Sequence, residues 1–182
     1  MTENDDNILI EGCLNGDMKA FESLIDKYQK TILNIVYRMT DNYDDAEDIT
    51  QSVFIKVYEK LNKFNSKYKF FSWLYRIALN ESLNYLKQKK RLTEFDADFM
   101  THGKTPEEEY DDMDLSQRIQ DALMHIDPEH RILIVLKHLE EFSYQEISYI
   151  LDISEQKVKS RLFTARIALR DVLLREGIVG ND

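Results

Sequence analysis

Cysteine is nearly absent from this chain of 182 residues: Cys13 stands alone, which excludes an intrachain disulfide framework and a cysteine zinc site. A lone thiol fits a reducing compartment, and without a resolving partner Cys13 reads as a packing residue before a redox sensor. Five glycines and two prolines supply too little turn chemistry for a fold of many short strands. No apolar run approaches the ~18 residues that cross a bilayer. The first residues, Met1 to Asn7, are acidic where a secretory leader would be basic. We therefore expect a soluble, cytoplasmic protein with no membrane insertion.

Signatures of catalysis are missing too. Gly103-Lys104-Thr105 matches the end of a phosphate-binding loop, but Asp98 stands where its first glycine belongs, and the segment has no strand before it. There is no His-Glu-x-x-His, and none of His102, His125, His130 and His138 has a glutamate three residues ahead. No enzyme, cofactor or metal site is expected.

Positive charge is also scarce overall, at a net −10, which ordinarily argues against a nucleic-acid partner. The average conceals blocks. Residues 1–50 carry −8, residues 51–92 carry +8, residues 93–114 carry −8, and residues 115–182 carry −2. Charge segregated this sharply points to different partners for different segments, although solvated helix faces produce part of it.

What the chain does have is helical periodicity. Ala20, Phe21, Leu24, Ile25, Tyr28, Ile32, Ile35, Val36 and Met39 recur at three/four spacing, as do Ala46, Ile49, Val53, Val57 and Leu61 in a second helix from about Asp44. A third runs from about Phe71 to Lys90. From Thr93 to Asp114 the pattern stops in a dense acidic run, which predicts an extended, flexible linker. Helical signals resume at Leu115, and Asp127-Pro128-Glu129 is a capped helix start. The expected fold is all-α: a helical domain over 1–92, an acidic linker over 93–114 and a second helical domain over 115–182.

Three segments carry the chemistry. Near the C-terminus Ser143-Tyr144-Gln145-Glu146 is a capping box, Leu151-Asp152-Ile153 a turn, and Ser154 a second cap. Two capped helices across a short turn match a DNA-reading helix-turn-helix. On the second helix Gln156, Lys157, Ser160 and Phe163 point away from the apolar stripe, to reach base edges. Lys159, Arg161 and Arg166 flank it, to hold phosphates. An ordinary amphipathic surface helix is the competing reading. Between Lys63 and Arg76, six aromatics (Phe64, Tyr68, Phe70, Phe71, Trp73, Tyr75) interleave with Lys63, Lys67, Lys69 and Arg76. Cations beside rings suit single-stranded nucleic acid, although Trp73 by itself reads as core. Third, Asp44, Asp45, Glu47 and Asp48 crowd the start of one helix. Such acids favour the helix dipole, but four exceed what one helix start needs and suggest a basic partner.

DDAEDITQSVFIKVY, FFSWLYRIALN and FSYQEISYILDISEQKVKSRLFTARIAL, in this order, resemble an ECF (extracytoplasmic function) sigma factor of bacterial RNA polymerase, over about Ala20 to Leu174. The resemblance implies binding of core polymerase through Asp44, Asp45, Glu47, Asp48, Gln51 and Phe54. It implies capture of the minus-ten promoter element by Phe64, Lys67, Tyr68 and Phe70 in a loop and by Trp73, Arg76 and Asn80 on a helix. The helix from Ser154 would read the minus-thirty-five element. It further implies an anti-sigma factor as partner and a monomer when free. The chain departs from the family pattern at Ser52 (usually acidic), Ser148 (usually Ala), Asp152 (commonly Gly), Lys157 (frequently Thr) and Thr164 (frequently Arg). A stand-alone helix-turn-helix regulator is the alternative function; it would explain the C-terminal segment and leave the other two without a role.

Overall fold

The computed structural model describes residues 3–97 and 115–179, which contain helices and turns and no strand. The linker expected over 93–114 lies largely outside the described residues, except that the preceding helix runs on to Ala97, beyond the end expected at Lys90.

Four helices make the first group: α1 (Glu3–Leu14), α2 (Met18–Thr40), α3 (Tyr43–Lys60) and α4 (Phe70–Ala97), with a 3-10 turn at Leu61–Lys63 before α4. Helix α2 is the centre, packed on α1, α3 and α4. Its stripe Leu24, Ile32, Ile35, Val36 and Met39 is completely buried, as the three/four spacing requires. Each such side chain contributes about 1.5–3 kcal/mol by leaving water. Asp17 starts α2 by accepting the Lys19 N–H at 2.9 Å, and Asn42 starts α3 by accepting that of Asp45 at 2.9 Å.

Helix α1 lies ahead of the first helix that periodicity predicts. Its buried side holds Ile10 and Cys13 but also the carboxylate of Asp6, which accepts from Lys27 and from the Tyr28 hydroxyl at 2.6 Å. A buried acid breaks the apolar stripe by which a helix is recognised. Gly12 permits the tight corner into α2, because a Cβ there would come within 2.9 Å of the Ala20 Cβ.

The second group comprises α5 (Leu115–Met124), α6 (Pro128–Ile134, extended by a π-helical turn at Val135–Leu139), α7 (Tyr144–Leu151) and α8 (Glu155–Arg175). Helix α8 is the axis against which α5, α6 and α7 pack. Asp127 caps α6 by accepting the Glu129 N–H at 2.8 Å, with Pro128 in the first turn. The two groups touch: α4 meets α6 and α7, and α2 meets α5 and α6.

Candidate nucleic-acid interface

The helix-turn-helix is built as its sequence predicts. Ser143 and Glu146 form the reciprocal capping box, and the Ser154 hydroxyl accepts the Lys157 N–H at 3.3 Å to start α8. Asp152 closes α7 in the left-handed region at φ 56°, a conformation that Asp tolerates better than most residues. Ser148 adds a bond across the turn, its hydroxyl donating to the Ile153 carbonyl at 2.5 Å, which an alanine there would lack.

Val158, Leu162, Ala165 and Val172 anchor α8 in the core. Ser154, Gln156, Lys157, Ser160 and Phe163 are exposed, Phe163 at 65%. Three flanking cations are held by neighbours. The Lys159 ammonium lies 5.4 Å from the Tyr144 ring centre, Arg161 is 3.8 Å from the Glu129 carboxylate, and Arg166 Nε donates to His138 Nε2 at 3.1 Å. The imidazole of His138 accepts that bond only when neutral at Nε2. Its pKa lies below the ordinary value because burial, then the Arg166 and Lys137 charges, oppose protonation. We expect the His138 ring resonances to titrate below the usual ~6.5, and Arg166→Gln to move that midpoint up part of the way. An unmoved midpoint in the variant would mean that the two side chains do not meet in solution.

The aromatic block is more tightly packed than its composition suggests. Phe70, expected in the loop, is the first residue of α4 and only 4% exposed, and Tyr75 is fully buried. Phe64, Phe70 and Trp73 pack on one another at centroid separations of 5.4–5.8 Å. The rings bury each other in a cluster, which is how they exceed what one helix face can cover. Lys67 and Tyr68 remain exposed in the loop and Asn80 on α4, while Arg76 is half-buried.

At the acidic helix, Asp45 is already engaged inside the group. It accepts from Lys89 at 2.8 Å, and its carboxyl is held below the ordinary range by hydrogen bonds from Lys89 and Tyr85. Asp44, Glu47, Asp48 and Gln51 face outward. Beside them runs an apolar groove between α2 and α3, lined by Met18, Phe21, Ile25, Gln51, Phe54, Ile55 and Tyr58. Ile55 is 60% exposed and Tyr58 50%, while Phe54 lies buried in its floor.

Sequence reasoning passed over the residues that join the two groups. Arg131, 5% exposed, donates to the Met39 carbonyl at the end of α2, to Leu123 at 2.8 Å, to Met124 at 3.0 Å and to Ile126 at 3.3 Å. Glu140, Glu146, Tyr149 and Asp152 meet α4 and its preceding loop. Contacts between groups distant in sequence leave no periodic signal; an arginine at an otherwise apolar helix position was the available clue.

Comparison with known proteins follows the same division. The family model for sigma-70 region 2 matches residues 24–92, and that for sigma-70 region 4 matches residues 116–169. The chain is 35% identical over 170 residues to the ECF RNA polymerase sigma factor SigW of Bacillus subtilis, covering 87% of this chain and 91% of that one. It is 34% identical over 176 residues to the ECF RNA polymerase sigma-E factor of Escherichia coli, covering 90% and 92% respectively. The fold matches CnrH, solved with the cytosolic domain of CnrY, at a TM-score of 0.69 and 23% identity over 93% of this chain and 97% of that one. It also matches the sigma factor RpoE of Bartonella quintana, solved with the anti-sigma factor NepR, at 0.67 and 23% identity over 85% and 97%. Agreement of both regions, in order and over nearly the full length of curated relatives, shows that this chain belongs to the ECF sigma factors, the alternative sigma factors that give bacterial RNA polymerase its promoter recognition.

Proposed function

We propose that the chain divides its work among three segments: 1–92 binds core polymerase and the minus-ten element, 93–114 links, and 115–182 binds the minus-thirty-five element. The observation that carries this reading is the groove between α2 and α3. A strip holding Ile55 and Tyr58 in water, on the same helix whose first turns carry Asp44, Glu47 and Asp48, fits a partner that is apolar against the strip and basic toward the start of α3. Gln51 and Phe54, expected to contact polymerase, line that strip. The loop with Lys67 and Tyr68, together with Trp73, Arg76 and Asn80 on α4, takes the single-stranded minus-ten element. Gln156, Lys157, Ser160 and Phe163 read the duplex minus-thirty-five element in the major groove.

The protein acts in the bacterial cytoplasm and performs no catalysis itself; no described helix is long and apolar enough to cross a membrane. An anti-sigma factor is a further partner, as NepR is of RpoE, and we take the free chain to be a monomer. Each DNA contact is weak alone; held at fixed spacing on polymerase, the two act at high effective concentration. A pull-down with purified core polymerase tests the assignment. Wild-type protein is retained and the Asp44→Lys, Asp48→Lys double variant is lost. Failure of the wild type to bind core, with clean duplex binding by the free chain, would favour a stand-alone regulator.

A further inference from the structure

At Tyr68 and Arg76 the surface given above to single-stranded DNA is covered in this chain by the chain itself. The Tyr149 ring of α7 lies on that of Tyr68 at 3.9 Å between centroids and 17° between planes, the geometry of a stacked base. Beside it Glu146 accepts from Lys69 at 3.2 Å, and Asp152 accepts from Arg76 at 2.8 Å. Further in, Glu140 accepts from the Tyr75 hydroxyl at 2.6 Å, and Phe142 packs on Phe71 and Tyr75. An aromatic plane flanked by anions meets a ring flanked by cations. Those are the elements of a nucleotide strand: a base face and phosphate-like charges.

We infer that the second helical group is an internal competitor for the minus-ten surface: Tyr149, Glu146 and Asp152 occupy it as a base and two phosphates would. The inference rests on the reading of that surface as a single-strand site. It makes closure of the two groups and single-strand binding mutually exclusive. The groups of α7 that carry the mimicry come from the helix-turn-helix, so closure also turns that motif toward the first group. The outward residues of α8 stay exposed in the closed form, so closure withholds the single-strand surface and not the face of α8. The apparent affinity of the free chain for single strands is reduced by the fraction of molecules that are open.

The test uses the full chain carrying Cys13→Ala and two surface cysteines, Glu22→Cys and Arg170→Cys, labelled as a donor–acceptor pair. The comparison variant is Glu140→Gln, Tyr149→Ala, Asp152→Asn. It removes the stack and two charges, keeps a residue that tolerates the left-handed turn, and leaves the Ser143–Glu146 capping box intact. Energy transfer reports closure, and anisotropy of a fluorescein-labelled oligothymidylate of about 20 nucleotides reports single-strand binding. Far-UV circular dichroism confirms that both proteins keep their helices. We expect lower transfer in the variant, about tenfold tighter oligothymidylate binding, and a fall in wild-type transfer as the oligonucleotide is added. Unchanged transfer and affinity in the variant would overturn the internal contact itself. A variant that opens while neither protein binds the oligonucleotide would overturn the mimicry by a different route, since the uncovered surface would then not be a single-strand site.

Discussion

Arg131→Met lowers the stability of the chain by about 1–3 kcal/mol, the cost of leaving buried polar groups without their hydrogen-bond partner. Methionine restores much of the volume and none of the donors. The carbonyls of Met39, Leu123, Met124 and Ile126 lose the guanidinium that they share, and a buried acceptor without a donor costs about 1–3 kcal/mol. Two of these carbonyls close helices, Met39 near the end of α2 and Met124 at the end of α5, where the backbone dipoles gather negative charge. Among the described residues Arg131 bonds only to carbonyls, so helix ends share the work of a counter-ion with the nearby charges of Asp41 and Asp127. Arg131→Lys recovers only part of the loss, because one ammonium cannot spread donors across four carbonyls. Urea unfolding of the full-length variants measures both effects. A loss below about 1 kcal/mol for the methionine variant would show that water replaces the guanidinium without difficulty.

Ile55→Glu acts in the opposite manner, leaving the fold alone and weakening polymerase binding by about thirtyfold or more, the scale of an apolar hot spot. Ile55 is 60% exposed in the free chain, so a charged side chain there displaces nothing from the core, and the thermal midpoint is expected to stay put. The substitution adds a negative charge to the helix that carries Asp44 and Asp48, about two turns beyond the nearer of them. Were attraction between an acidic helix and a basic partner the whole of the interaction, the extra carboxylate would strengthen it. A loss of affinity therefore assigns part of the binding energy to the groove, beside whatever the acids contribute. Titration of labelled core polymerase with wild type and variant reads the difference; equal or tighter binding by Ile55→Glu would remove the groove from the interface.

Much of the architecture was legible before any coordinates, for physical reasons that differ by element. The stripe from Ala20 to Met39 and the inward face of α8 obey a 3.6-residue period because one side of each meets a core. The caps at Asp127, Ser143 and Ser154 announce themselves because orphan N–H groups accept only a few side-chain types. Helix α1 escaped because its buried side includes Asp6, satisfied by Lys27 and Tyr28, which are distant in sequence. The aromatic block was read as more open than it is. Composition counts rings, but it does not say that Phe64, Phe70 and Trp73 face each other, or that Tyr75 faces Phe142. Asp45 shows the same limit in charge: its spacing groups it with Asp44 and Glu47, while Lys89, 44 residues away, claims it. Pairings across the fold are invisible to a local pattern.

Asp152 holds two posts at once. Its backbone sits in the left-handed region, where glycine would be at ease, and its carboxylate holds Arg76 of the other helical group. Exchange for glycine would relax the turn between α7 and α8 and, in the same stroke, remove one of the bonds that join it to the neighbouring group. A gain for the DNA-reading motif taken alone is thus a loss for restraint of the whole chain. Variation at this one position trades sturdiness of the reader against readiness of the molecule to act, so a survey scoring stability by itself would misjudge which residue serves the cell better.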